Sequence, residues 1–349
     1  MSGPDRPEPV AADVPIEESP SAGIPATRLG AGTFTIEGRA APGLFVVGWI
    51  AAILGGVATF VGLAAAPSTA KVVLLFGGLI TLAIGLLAGA GSQAMERRAR
   101  GAAFTGPSPF LAFAASIPIA LAISNLVAIP FFALGMDPET PLAALIQVTA
   151  TALVYLAIVR LLVVDHGALS WAAMGATRPG RAALGVAIGG ALYAVPAVLA
   201  TAVVAVILSG VLPLPPAPLP IGTDALGIAA NILAAAVVAP LGEELFFRGY
   251  ATTAWERGNG PRQALVRGAL FFAFVHVLGV TGATAGEAVG AATTAFLARL
   301  PISFMLGWIF LRRGSLWASI GLHSTFNLVL VMLAIVGGEL GGAAPALAR

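Results

Sequence analysis

From residue 43 onward the chain alternates between long apolar runs and short polar joints. Nine apolar segments stand out, at roughly 43–66, 71–91, 109–135, 140–164, 181–209, 225–250, 262–280, 288–311 and 315–337. Several exceed the roughly 20 residues an α-helix needs to cross a bilayer core of about 30 Å. None shows the alternating segments of about ten residues that mark a membrane β-barrel. The pattern predicts an all-α polytopic membrane protein of about nine transmembrane helices. The joints carry turn chemistry, as at Pro67-Ser68, Pro107-Ser108-Pro109, Met136-Asp137-Pro138 and the proline-rich run 213–220. No internal repeat is visible, which weakens an inverted-repeat transporter reading.

Residues 1–42 are a different material. They are rich in Pro, Ala and Glu and poor in large apolar side chains, so they cannot bury a core and are expected to form a disordered cytoplasmic tail. The stretch is also acidic, and too long before the first apolar run to be a secretory signal. The expected organisation is a tail at 1–42, N-terminal transmembrane helices at 43–180, a catalytic transmembrane region at 181–337 and a short C-terminal tail at 338–349.

Composition agrees with a membrane class. Of 349 residues, 58% are hydrophobic and only 10% charged, with a mean hydropathy of +0.96, where a soluble domain carries about a quarter charged residues. Forty-three glycines suit helices that pack through small residues. The absence of cysteine excludes disulfides, thiolate metal ligands and a cysteine nucleophile. No stretch interleaves Lys/Arg with aromatics as a nucleic-acid groove would. The basic residues mark topology instead. In a nine-span layout 15 of the 18 Lys/Arg fall on one side, Lys71 and Arg349 on the other, and Arg299 inside a segment. Cytoplasmic loops accumulate Lys/Arg, which orients the N-terminus to the cytoplasm and the C-terminus outside.

An ionisable side chain at bilayer depth costs about 2.5–3.5 kcal/mol on insertion scales, so each one calls for a reason. The candidates are Glu243, Glu244, Arg248, His276, Arg299 and His323, with Glu287 at a segment edge. Three of them sit in PLGEELFFRGY, residues 240–250, at the cytoplasmic end of the sixth segment. Glu244 and Arg248 are four apart, acid first, the better order for a helical ion pair. Glu243 points about 100° away and has no local cation. A partly desolvated carboxylate of this kind can serve as a base.

Two further segments supply partners. Phe272 and His276 share a face of the seventh segment, and His323 and Asn327 share a face of the ninth. Counted along their helices, His323 lies about 12 Å and His276 about 20 Å from the segment starts, so tilt must absorb the offset. A lone buried histidine is usually structural, but a Glu, two His and an Asn on three helices form a convergent cluster. It holds the parts for hydrolysis: Glu243 to take a proton from water, His276 to hold that water, and His323 with Asn327 to donate to an oxyanion. An alternative is Zn²⁺ held by Glu243, His276 and His323 with one position open to water. There is no His-Glu-x-x-His, no Gly-x-Ser-x-Gly and no phosphate-binding glycine loop.

Glu243-Glu244-x-x-x-Arg248, Phe272-x-x-x-His276 and His323-x-x-x-Asn327, in that order on separate apolar helices, resemble the CAAX protease and bacteriocin-processing (CPBP, or Abi) family of intramembrane endopeptidases. The resemblance covers about 180–337 and implies a multi-pass membrane protease that cuts a membrane-associated peptide or protein. By motif position, Glu243 would be the base, His276 its water-holding partner, and His323 with Asn327 the oxyanion site, with Glu244, Arg248 and Phe272 supporting. The family has been described both as metal-free glutamate proteases and as metalloproteases, so no cofactor is required in the first reading and Zn²⁺ enters in the second. The Arg-rich, Lys-poor composition suggests a bacterial plasma membrane. The rival from another class is a proton- or ion-coupled transporter, which would string polar residues across the full membrane depth.

Overall fold

The computed structural model describes residues 35–347, except 136, 138, 139 and 216–218. The tail expected at 1–42 therefore falls largely outside the described residues. Of the unit ending at Arg39, residues 35–39 are described, and they contain a turn in which the Arg39 amide donates to the Ile36 carbonyl.

From Ala40 the chain is one compact unit built of helices: α1 Pro42–Ala64, α2 Thr69–Ala99, α3 Pro109–Ala133, α4 Pro141–Val164, α5 Arg181–Ala191, α6 Ala194–Ser209, α7 Ala225–Asn259, α8 Pro261–Val275, α9 Ala285–Arg313 and α10 Leu316–Leu347. With α5 and α6 taken as one broken span, eight helices among the described residues are long and apolar enough to cross a membrane. The protein is thus an all-α polytopic membrane protein. The difference from nine lies at the seventh expected segment, 262–280. It forms the 15-residue α8, about 22 Å long at 1.5 Å per residue, which ends at His276 and continues without helix to Thr284.

Local sequence explains the boundaries. Ser68 and Thr140 cap α2 and α4 through side-chain oxygens that accept from the Lys71 and Ala143 amides. Asp224 and Thr284 do the same for α7 and α9. Glu287 reaches back to the Ala283 amide at 3.0 Å, in the manner of a capping box, so this segment-edge acid is a helix cap. Glycine decides the closest contacts. A Cβ on Gly55 of α1 or Gly85 of α2 would strike the partner helix's backbone, as would one on Gly190 of α5 or Gly321 of α10. Small residues let these backbones meet without a hydrophobic drive in lipid.

The division expected at residue 180 does not coincide with a break in packing. α4 lies against α7, and Phe113 and Tyr155 from α3 and α4 join Phe246, Phe247 and Phe271 in one aromatic core. These rings meet mostly edge to face, as aromatic quadrupoles prefer. At one end of the bundle, arginines tie the connecting segments down: Arg97 donates to the Gly106 carbonyl, Arg98 to His166 and Arg257 to Ala168. Tyr250 adds a buried hydrogen bond to the Pro107 carbonyl at 3.0 Å.

Candidate active site

The helix that carries the two glutamates is irregular. α7 widens into π-helical turns at Leu233–Val238 and Glu244–Thr252, with a short α-helical stretch, Ala239–Glu243, between them. Such turns recur at functional sites. Pro240 explains one consequence. In the first wide turn the Ala239 amide bonds to the Ala234 carbonyl, five residues back. The matching donor for the Ala235 carbonyl would be residue 240, and proline has no N–H. Asn327 of α10 fills the gap, its Nδ2 donating to that carbonyl at 2.8 Å.

Glu244 and Arg248 are fully buried and paired at 2.9 Å between Oε1 and Nη1. The same Oε1 accepts from His323 Nδ1 at 2.8 Å. The second glutamate therefore holds both the arginine and the histidine. The Arg248 guanidinium also stands over the Phe272 ring, 4.1 Å from its centroid, a desolvated cation–π contact. Phe272 touches both histidines, with ring centroids 4.5 Å from His276 and 5.6 Å from His323. It is the apolar keystone between the polar groups.

Glu243 faces a different space. Its side chain is 22% exposed where that of Glu244 is 0%. Its Oε2 lies 3.7 Å from His276 Nε2 and 3.8 Å from His323 Nε2. His276 sits at the end of α8, where the last carbonyls of a helix lack amide partners, and its Nδ1 donates to the Phe272 carbonyl at 2.7 Å. A carbonyl and an arginine-paired carboxylate are acceptors, so both histidines carry hydrogen on Nδ1. In neutral form each presents a bare Nε2 to Glu243.

The group lines a cavity of about 390 Å³ together with Phe272, Asn327 and Arg299. The helical offset expected between His276 and His323 is taken up by the packing, since both reach one carboxylate oxygen. Arg299, which the sequence puts inside an apolar segment, lines this cavity as well. Among the described residues no group of three or more His, Cys, Asp or Glu is arranged to hold a metal ion. The nearest set is Glu243, His276 and His323. Its separations of 3.7 and 3.8 Å exceed the edge of about 3.3 Å that follows from zinc–ligand bonds of about 2.0–2.1 Å in a tetrahedron.

Fold and site together define a polytopic helical membrane protein with a carboxylate–histidine centre facing an internal cavity. Residues 225–329 match the family described as type II CAAX prenyl endopeptidase Rce1-like. The matched segment contains all seven motif residues, and it is the CAAX protease family that the motifs resemble. The match likens residues 225–329, under half of the chain, to CAAX-type intramembrane peptidases. Comparison with curated proteins and with solved structures returned no match.

Proposed function

We propose that the protein is an intramembrane endopeptidase that hydrolyses a bond of a membrane-associated peptide or protein with water activated by Glu243. One observation carries this reading: two histidine Nε2 atoms, acceptors when the histidines are neutral, each lie less than 4 Å from one carboxylate oxygen of Glu243, itself an acceptor. Such a set calls for a donor between its members. A water fits, giving one hydrogen to Glu243 and the other to His276 Nε2 while its lone pair remains free to attack.

Glu243 then takes a proton as the water oxygen bonds to the scissile carbonyl carbon, and the carbonyl oxygen becomes an oxyanion. Asn327 uses one Nδ2 hydrogen on the Ala235 carbonyl and keeps the other for this oxyanion. One such donor is worth about 2.7–4 kcal/mol in the transition state. His323, with its ring orientation fixed by Glu244, holds its Nε2 beside Glu243 and the attacking water. Collapse of the intermediate breaks the C–N bond, and the proton on Glu243 passes to the leaving amine. Glu243 is restored as carboxylate.

The chain beyond His276 supports access of water. Non-helical backbone at bilayer depth is tolerated where it is buried in protein or lines a hydrated space, and the chain is non-helical from His276, which lines the cavity, to Thr284. In this reading 181–337 supply the catalytic residues, 43–180 brace them, and the arginine-bearing end faces the cytoplasm of a bacterial plasma membrane. A zinc ion on Glu243, His276 and His323 is the second reading, favoured by the two bare Nε2 atoms. When bound it would polarise the carbonyl and the water. The test is cleavage of a peptide library by the purified protein and by Glu243→Gln, read by mass spectrometry; equal activity overturns the assignment of the base.

A further inference from the structure

Arg299 is the ionisable residue of the spans that hydrolysis leaves without a task. It lies on α9 two residues before Pro301 and lines the cavity that holds Glu243, His276 and Asn327. Its backbone carbonyl accepts from Ser303, but among the described residues its guanidinium makes no ion pair and no hydrogen bond. Glu243 is the acidic group whose charge reaches it, and the two stand farther apart than an ion pair. Much of the remaining wall is apolar, with Phe272, Ala295, Ile302 and Phe326 among it.

An unpaired cation is costly in such surroundings, and its fork of N–H donors matches a carboxylate in two-point geometry. The demand sharpens during the reaction. Once Glu243 has taken a proton from water, its negative charge has moved to the oxyanion, and Arg299 loses the carboxylate whose charge reached it. An anion carried by the substrate answers this.

We propose that Arg299 is a substrate-binding residue that takes a carboxylate of the peptide, either its C-terminal carboxylate or an acidic side chain. The cavity, about 390 Å³, is the size of a site for a drug-like ligand, so that carboxylate lies close to the scissile bond. The proposal rests on the hydrolytic reading of the same cavity.

The test uses the full chain in detergent and three peptide sets: a library with free C-termini, its C-terminally amidated copy, and a copy with Asp and Glu replaced by Asn and Gln. The wild-type protein is expected to cleave the acid form better than one of the neutral copies by roughly 10- to 100-fold in kcat/KM, the range of a charge-assisted hydrogen bond. Which copy fails identifies the source of the carboxylate. Arg299→Gln is expected to bring the acid form down to its neutral copy, chiefly through KM, and Arg299→Lys to recover part of the difference. Binding of labelled peptides to the Glu243→Gln protein, which separates recognition from chemistry, follows the same order. Equal binding of acid and neutral forms, or equal loss of both with Arg299→Gln in a protein of unchanged thermal stability, overturns the proposal. Cleavage that survives Glu243→Gln overturns the assignment of Glu243 as the base instead, and the binding comparison still decides on Arg299.

Discussion

His323 Nδ1 lies 2.8 Å from Glu244 Oε1, and that same oxygen takes Arg248 Nη1 at 2.9 Å. One buried carboxylate thus fixes a cation from its own helix and an imidazole from α10. Adjacent glutamates divide the work: Glu244 organises, and Glu243 faces the cavity.

This division predicts opposite outcomes for two otherwise similar substitutions. Glu244→Gln leaves Arg248 as a buried charge without a counter-ion, a loss of roughly 3–5 kcal/mol. Thermal unfolding in detergent should show a large drop in midpoint for Glu244→Gln and a small one for Glu243→Gln. Comparable drops would mean that Glu243 is a structural residue too.

Activity should follow the reverse order relative to stability. Glu243→Gln keeps size and shape but removes the base, and positioned general bases contribute about 10²–10⁴-fold. The expected result is a fall in kcat of that size with KM nearly unchanged. A change confined to KM would assign Glu243 to binding.

Much of the fold was legible in the apolar pattern, because helix length and bilayer thickness are tied together. The segment 181–209 reappears as α5 and α6, and 315–337 opens α10 one residue later, although α10 runs on to Leu347. The segment 262–280 does not reappear whole, because Val277, Leu278 and Val280 keep it apolar past His276 while α8 stops there. The membership of the polar cluster could be read from the order of the motifs. Its wiring could not. An angle of about 100° between Glu243 and Glu244 presumes a regular helix, and the chain is π-helical from Glu244 onward. The bond from Glu244 to His323 and the seat of Arg299 in the cavity depend on how α7, α9 and α10 pack, which no local pattern encodes. Pro240 was the one local signal of Asn327's partner, through the hydrogen bond a proline cannot give.

Phe272 predicts an effect out of proportion to its lack of chemistry. Its ring carries Arg248 on one face and abuts both histidines. Phe272→Leu roughly conserves volume and should cost less than about 1.5 kcal/mol in packing, plus about 2 kcal/mol for a desolvated cation–π contact. Because both imidazoles lose their stop, kcat should fall by roughly tenfold or more, in line with the sensitivity of catalysis to small displacements. Wild-type kcat in Phe272→Leu would show that the ring only fills space.

Metal removal discriminates between the water and zinc readings. If a water bridges Glu243 and His276, dialysis against a strong chelator should leave cleavage unchanged and added Zn²⁺ should not raise it. Loss of activity with chelator and recovery with Zn²⁺ would establish the zinc reading, with Glu243, His276 and His323 as ligands.

Asn327 and Pro240 offer a test in which stability and activity come apart. Asn327 Nδ2 serves the Ala235 carbonyl and, in the proposed mechanism, the oxyanion. Asn327→Leu should therefore lose about 1–3 kcal/mol of stability from the orphaned carbonyl and about 10²–10³ in kcat from the missing donor. Pro240→Ala restores an N–H at the one position where α7 lacks a partner for Ala235. Combined with Asn327→Leu, it should return much of the lost stability while leaving kcat low. Thermal unfolding and steady-state kinetics on the four proteins of this cycle decide the matter. If activity returns together with stability, Asn327 acts only by holding α7 in place, and the oxyanion donor must be sought elsewhere in the cavity.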